Sequence, residues 1–100
     1  MSQTATDTVV KKKNTVKEPE KFKVVFHNDE HTPMEFVIQV LMLIFKHDEE
    51  SAKKITIEVH ESGKAVAGVY FYEIAEQKAT ETVGVARTNG FPLAVTVEKQ

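Results

Sequence analysis

A chain of 100 residues has room for one hydrophobic core and no second domain. Its apolar share of 41% and charged share of 28% are ordinary for a soluble globular protein. A formal net charge of -2 argues against nucleic acid as the main partner, because neutralising phosphates takes a basic excess, and the lack of any cysteine excludes disulfides, thiolate zinc sites and cysteine nucleophiles.

Only 4 glycines are present, which leaves little for a Gly-rich phosphate loop. The longest apolar run, Phe36 to Phe45, is interrupted by Gln39 and flanked by Glu35 and Lys46, too short to span a bilayer. The start, Met1 to Val10, lacks the basic and apolar regions of a secretory signal, and it carries Asp7 and no Arg, unlike a transit peptide. A cytoplasmic protein with no membrane contact is expected.

Residues 1–20 hold Ser, Thr, Lys, Glu and one Pro, with Val9, Val10 and Val16 isolated. Such a stretch cannot bury enough surface to offset its ordering entropy, so it is expected to be a flexible N-terminal arm before a core domain at 21–100. The basic run Lys11 to Lys13 reads either as a solubilising tail or as a tether for a partner.

From Phe22 the pattern changes. Phe22, Val24 and Phe26 alternate with Lys23, Val25 and His27, which predicts a strand. Asn28 to His31 then make a polar turn. Thr32-Pro33-Met34-Glu35 predicts a helix start, with Thr32 as cap, Pro33 in the first helical position and Glu35 closing a capping box. This helix is expected to run to about Lys46, with Val37, Val40, Leu41 and Ile44 on one face, widened by Phe36 and Leu43.

Asp48-Glu49-Glu50 opens a second helix, since acids favour the first turn. Its apolar face is Ala52, Ile55 and Val59 with Thr56 beside them, and Gly63 is its expected left-handed cap. Ala65 to Tyr72 is a second strand, in which Gly68 marks a bulge or a close approach. Glu73 to Arg87 is a third helix, with Ala75, Ala79, Val83 and Ala86 at helical spacing. Leu93 to Val97 is the last strand, with Leu93, Val95 and Val97 on one side. The order β-α-α-β-α-β, without a regular βαβ repeat, predicts an α+β fold: three helices packed on a small antiparallel three-stranded sheet.

The chemistry concentrates in Asn28 to Met34. A polar turn between a strand and a helix can be a plain connection. Here, however, Asp29 and Glu30 bring two carboxylates and Asn28 an amide oxygen, directly before apolar residues. That composition suits an ammonium group joined to an apolar side chain. His60, beside Val59 late in the second helix, is a further hydrogen-bonding candidate or a plain surface histidine. A metal site on His27, Glu30, His31 and His60 is the rival chemistry. The i, i+4 spacing of His27 and His31 aligns two rings only on a helix, and this segment reads as strand and turn. Ser2, Ser51 and Ser62 lack a glycine elbow or a base partner. No catalytic residue, cofactor or metal is expected.

The run Asn28-Asp29-Glu30-His31-Thr32-Pro33-Met34-Glu35-Phe36-Val37 resembles the signature of the ClpS family, adaptors that deliver N-degron proteins to a Clp AAA+ unfoldase and its ClpP peptidase. The likeness continues through Val59-His60, Gly63-Lys64-Ala65, Gly68-Val69-Tyr70, Glu73-Ile74-Ala75-Glu76 with Lys78, and Pro92-Leu93, so it covers about residues 22–98. The resemblance implies a non-enzymatic, monomeric binding module. It would recognise a free α-amino group and a bulky first residue: Leu, Phe, Tyr or Trp.

By match to the family pattern, Asn28, Asp29, Glu30 and His60 would serve the α-ammonium. Thr32, Pro33, Met34, Val37, Thr56, Val59 and Leu93 would form the side-chain pocket, with Met34 excluding β-branched starts. Glu73 and Lys78 would dock on the N-terminal domain of a ClpA-like or ClpC-like unfoldase, and residues 1–20 match the extension that takes part in substrate handover. Glu30 stands where many members have Asp, and Thr56 where many have Met. A smaller, hydroxyl-bearing Thr56 implies a wider or more polar pocket and a changed preference among first residues. The rival architectures are the C-terminal domain of the ribosomal stalk protein, which lacks the Asn-Asp-to-Met-Glu run, and a regulator that occupies the unfoldase without recognising substrate.

Overall fold

The computed structural model describes residues 19–100. The arm expected over residues 1–20, with Lys11 to Lys13, lies outside the described residues up to residue 18. The elements are β1 (Lys21–His27), α1 (Met34–Leu43), α2 (Glu49–Ser62), β2 (Lys64–Phe71), α3 (Tyr72–Thr88) and β3 (Ala94–Lys99). This is the α+β order that the sequence predicts.

The strands form one antiparallel sheet in the order β2-β1-β3, with β1 in the centre. The helices pack on one another and on the sheet: α1 against α2, α2 against β2, and α3 across all three strands. Between them lies the core. It takes Val24 and Phe26 from β1, Val37, Val40 and Leu41 from α1, Ala52 and Val59 from α2, Ala65 and Ala67 from β2, Ala75, Ala79 and Ala86 from α3, and Leu93 before β3. Five alanines on β2 and α3 let helix and sheet approach closely, while the volume is filled by Phe26 and Leu41, both fully buried.

Several local readings need correction. Thr32 does not cap α1. Its hydroxyl donates to Asp29 instead, and Pro33 stands at the cap position, where its carbonyl accepts from the Phe36 and Val37 amides at 3.1 and 3.2 Å. The capping box with Glu35 is therefore absent: a carboxylate three residues back offers the hydroxyl a charge-assisted bond, which is the stronger one.

The helix also ends earlier than the predicted Lys46. Ile44 is its C-terminal cap, and Lys46 turns the chain with φ 63. Leu43, expected to widen the apolar face, is 67% exposed. Tyr72 begins α3 rather than ending β2. On α3 it is Thr82 that is fully buried, its hydroxyl turned back onto the Lys78 carbonyl at 2.7 Å, where Val83 was expected. The helix thereby buries a polar side chain without an unpaired hydroxyl.

Other local signals appear as the sequence predicts. Asp48 caps α2 by accepting from the Ser51 amide at 2.8 Å, and Gly63 closes it in the left-handed conformation, φ 90. In β2 a bulge falls at Ala67, between the pairs Val24–Gly68 and Val25–Val66. A Cβ on Gly68 would lie 2.7 Å from ring carbons of Tyr70 and closer still to its hydroxyl, so the aromatic ring packs where any other residue would put a side chain.

Candidate functional site

The site begins with the backbone of the β1–α1 turn. Asp29 organises it: Oδ1 accepts from the amides of His31 at 2.7 Å and Thr32 at 2.8 Å, and Oδ2 accepts from the Thr32 hydroxyl at 2.7 Å. This is an Asx-type turn with an added side-chain bond. Upstream, the Asn28 amide donates to the Gly63 carbonyl at 2.9 Å. The glycine that ends α2 thus also fixes where the turn begins, so the loop and the helix behind it are held in one register.

Between them opens a cleft of about 350 Å³, lined by Asn28, Asp29, Glu30, Thr32, Met34, Val37, Thr56, Val59 and His60. Three segments build it. The turn contributes its polar residues, the first turn of α1 contributes Met34 and Val37, and α2 contributes Thr56, Val59 and His60, which share a helical face at i, i+3 and i+4. Val37, Thr56 and Val59 are buried and form the floor. Asn28, Glu30 and His60 are exposed, and Met34 is 42% exposed at the mouth.

No lysine or arginine lines this space, while two carboxylates do, so the cleft favours a cation. An apolar floor beside it favours hydrocarbon. The Thr56 hydroxyl donates to the Ala52 carbonyl at 2.7 Å, one turn back in its own helix. Its proton is therefore not available to a ligand, so Thr56 makes the cleft wider than a longer side chain would, without adding a free donor.

Two residues expected in the pocket stand elsewhere. Pro33 is exposed at the helix cap, and Leu93, 1% exposed, is part of the core; neither is among the lining residues. Of the pair expected to meet an unfoldase, Glu73 is exposed at the start of α3. Lys78 is turned inward, its Nζ donating to the Ile44 carbonyl at 2.8 Å. The part played by the Gly63 carbonyl in holding Asn28 was not visible in sequence, where Gly63 signalled only a helix end. The histidines do not converge as a metal centre: His27 bonds Thr96 through Nε2 at 2.8 Å, and no cluster of three or more metal-ligating side chains occurs among the described residues.

Burial works against ionisation of Asp29, but the bond from the Thr32 hydroxyl, the amides of His31 and Thr32, and the nearby His31 ring outweigh it and hold the carboxyl below its usual pKa. A depressed folded-state pKa means stabilisation that is present above the unfolded value of about 3.9 and lost as pH falls through the lower folded value. Asp29→Ala should therefore lower stability at pH 6, and the gap to the parent chain should close at pH 2. Urea unfolding at both pH values checks this; a gap of equal size at both would show that the carboxylate charge does not order the turn.

Residues 17–96 match the family model of the ATP-dependent Clp protease adaptor protein ClpS. A ClpS adapter protein of Clostridium acetobutylicum is 43% identical over 94 residues, covering 94% of this chain and 93% of that one. One of Sodalis glossinidius is 47% identical over 87 residues, covering 87% and 82%. Among solved structures, Agrobacterium tumefaciens ClpS2 bound to L-phenylalaninamide superimposes with a TM-score of 0.80 at 37% identity, covering 83% of this chain and all of that one. With a family model spanning most of its length, and relatives at this level of identity, the chain belongs to the ClpS family of Clp protease adaptors.

Proposed function

We propose that the cleft binds the free α-ammonium and the bulky first side chain of N-degron substrates (Leu, Phe, Tyr or Trp), which the protein hands to a Clp AAA+ unfoldase for proteolysis by ClpP. The observation that carries this reading is the pairing within one cleft of a rim holding carboxylates and no cation with a buried floor of Val37, Thr56 and Val59. A volume of about 350 Å³ suits one side chain rather than a longer peptide segment, being near the low end of ligand pockets at roughly 300–1,000 Å³. The ligand in the related Agrobacterium structure, a phenylalanine derivative with a free α-amine, has the same two halves.

In this reading Asn28, Glu30 and His60 meet the α-ammonium. Asp29 holds the turn in shape and adds negative potential. Met34, Val37, Thr56, Val59 and Thr32 bound the side chain, and Met34 at the mouth rejects starts branched at Cβ. Pro33 and Leu93 act one layer back, by fixing the start of α1 and the floor of the core.

The protein is an adaptor without catalysis of its own, monomeric and cytoplasmic. No helix among the described residues is long and apolar enough to cross a membrane. The unfoldase N-terminal domain, ClpA-like or ClpC-like, meets the surface of α3 that carries Glu73 and Lys78, and residues 1–20 take part in handover.

Fluorescence anisotropy with labelled peptides tests the reading. Leu, Phe, Tyr and Trp starts should bind near micromolar, about -8 kcal/mol, and a Val start at least about tenfold more weakly. If no start bound, the substrate-recognition reading would fall in favour of a regulator of the unfoldase. Within the same assay, Thr56→Met should fill the space that threonine leaves. The largest starts, Trp and Tyr, then lose affinity relative to Leu by about tenfold, the cost of overpacking a formed site by roughly 1–3 kcal/mol. Equal ratios among the four starts before and after the change would remove Thr56 from the specificity determinants.

A further inference from the structure

Away from the cleft, an uncovered apolar surface lies where the described residues begin. Phe71 and Tyr72 are half exposed, Ile74 stands beside them, and with Phe22 and Pro19 they line a groove of about 530 Å³. The Phe22 and Tyr72 rings meet edge-on at 5.0 Å, and the Lys21 ammonium lies 5.4 Å from the centre of the Phe71 ring. A second groove, of about 300 Å³, is lined by Ala79 and Val83 of α3 and by Val95 and Val97 of β3. A polar stretch of α3 with Glu73, Glu76 and Glu81 joins the two: Glu73 belongs also to the first groove and Glu76 to the second. All three carboxylates are exposed, and no lysine or arginine lines any part of this surface. The ion pairs among the described residues are Lys53–Glu49 and Lys99–Glu20, which leave the three out. Two apolar grooves joined by negative charge fit a basic segment with apolar residues at both ends.

The chain itself carries such a segment. Residues 8–17 hold Val9 and Val10, then Lys11 to Lys13, then Val16 and Lys17, with no acid among them. Pro19 lines the first groove, so the segment joins the domain at that surface. Val10 stands nine residues before Pro19, a reach of up to ~30 Å, whereas α3 rises only ~17 Å from Tyr72 to Val83. We propose that residues 8–17 dock on the outward face of α3, with Val16 at the aromatic groove, Lys11 to Lys13 along Glu73, Glu76 and Glu81, and Val9 and Val10 at the second groove. Each exposed ion pair contributes little alone. The covalent link at Pro19, however, holds the lysines at an effective concentration on the order of millimolar, so a contact of that strength, weak for a free peptide, is half occupied within the chain. Glu73 also belongs to the surface proposed to meet the unfoldase. A docked arm covers part of that surface, and unfoldase docking frees the arm; this consequence rests on the proposed function, whereas the docking does not.

The test uses the full chain and needs neither peptide nor unfoldase. The sequence has no cysteine, so Thr8→Cys offers one place for a nitroxide spin label. At low salt the label should broaden the NMR amide signals of Glu76, Thr80 and Val83 well beyond those of Ser51 and Lys53 on α2. In 1 M salt, where the Debye length is about 3 Å, roughly half of that broadening or more should be lost. Lys11→Glu, Lys12→Glu and Lys13→Glu together should abolish it, as should Glu76→Lys with Glu81→Lys, and combining the two sets should restore it. Equal broadening of α2 and α3, or broadening confined to residues next to Pro19, would overturn the proposal, and so would failure of the combined charge swap to restore the signal. Broadening passed to unlabelled chains in a mixed sample would assign the face to a second copy instead and overturn it equally.

Discussion

Acetylating the α-amino group of a Phe-initiated peptide should cost at least about 100-fold in affinity, roughly 2.7 kcal/mol. The rim of the cleft is made of acceptors: the Asn28 amide oxygen, the Glu30 carboxylate and a His60 nitrogen in the matching tautomer. An ammonium gives them three donors and a charge. Acetylation removes the charge, leaves one donor and adds a methyl and a carbonyl where acceptors already stand. Each charged hydrogen bond contributes about 1.5–3 kcal/mol, so losing two accounts for the whole effect without any change in the apolar half.

The charge of the ligand's α-amine also makes binding depend on pH. A peptide α-amine has a pKa of about 7.7–8.0, so binding should weaken as pH rises above that range, while an acetylated control stays flat. Anisotropy at neutral and alkaline pH measures both. A loss below about tenfold on acetylation would mean that the side chain alone drives binding, and the assignment of the polar rim would be wrong.

The second large effect is on stability. Phe26→Ala should cost about 3–5 kcal/mol, a major share of the roughly 5–15 kcal/mol that holds a domain of this size. Phe26 is fully buried, sits in the central strand, and packs edge-on against Phe45 with centroids 5.4 Å apart and planes at 78°. Truncation removes the ring and leaves a cavity bounded by β1 and the end of α1. Because both flanking strands pair with β1, the backbone cannot move in to close that space. Chemical denaturation reads the change as a lower midpoint at constant slope. A loss under about 1.5 kcal/mol would show that the neighbouring side chains repack, and that the core is softer than its burial implies.

Much of this was legible in the order of residues because the signals are local. Period-two alternation from Phe22 to Phe26, the acid-rich start at Asp48 and the glycine at Gly63 each depend on the backbone within one turn or strand. Each appears as its neighbours dictate. The composition of Asn28 to Met34 likewise put carboxylates next to apolar residues, and the structure brings both to one cleft; the proposed ligand rests on the family resemblance. The misreadings share a cause: a side chain had two possible partners, and the choice lay far along the chain or depended on packing. Thr32 was free in sequence to cap α1, but Asp29 lies within reach once the turn closes. Leu43 has the right spacing for the core, yet α1 stops before any element covers it.

Val25 shows the same dependence from the other side. Its alternation places it outside the core cluster, yet it is 3% exposed, with Val66 and Thr96 as its register partners in the flanking strands. Only the central position of β1 explains that burial.

The sequence by itself determined the class of the fold, the succession of its elements and the residues of the polar turn, because propensity, capping and periodicity act over a few residues. The tertiary structure alone decided that Thr56, Val59 and His60 of α2 face Met34 and Val37 of α1 across one cleft, and that Gly63 holds Asn28. It alone turned Lys78 inward to Ile44, 34 positions away in the chain. Those pairings are set by which faces must be buried together, a condition that no local stretch of residues expresses.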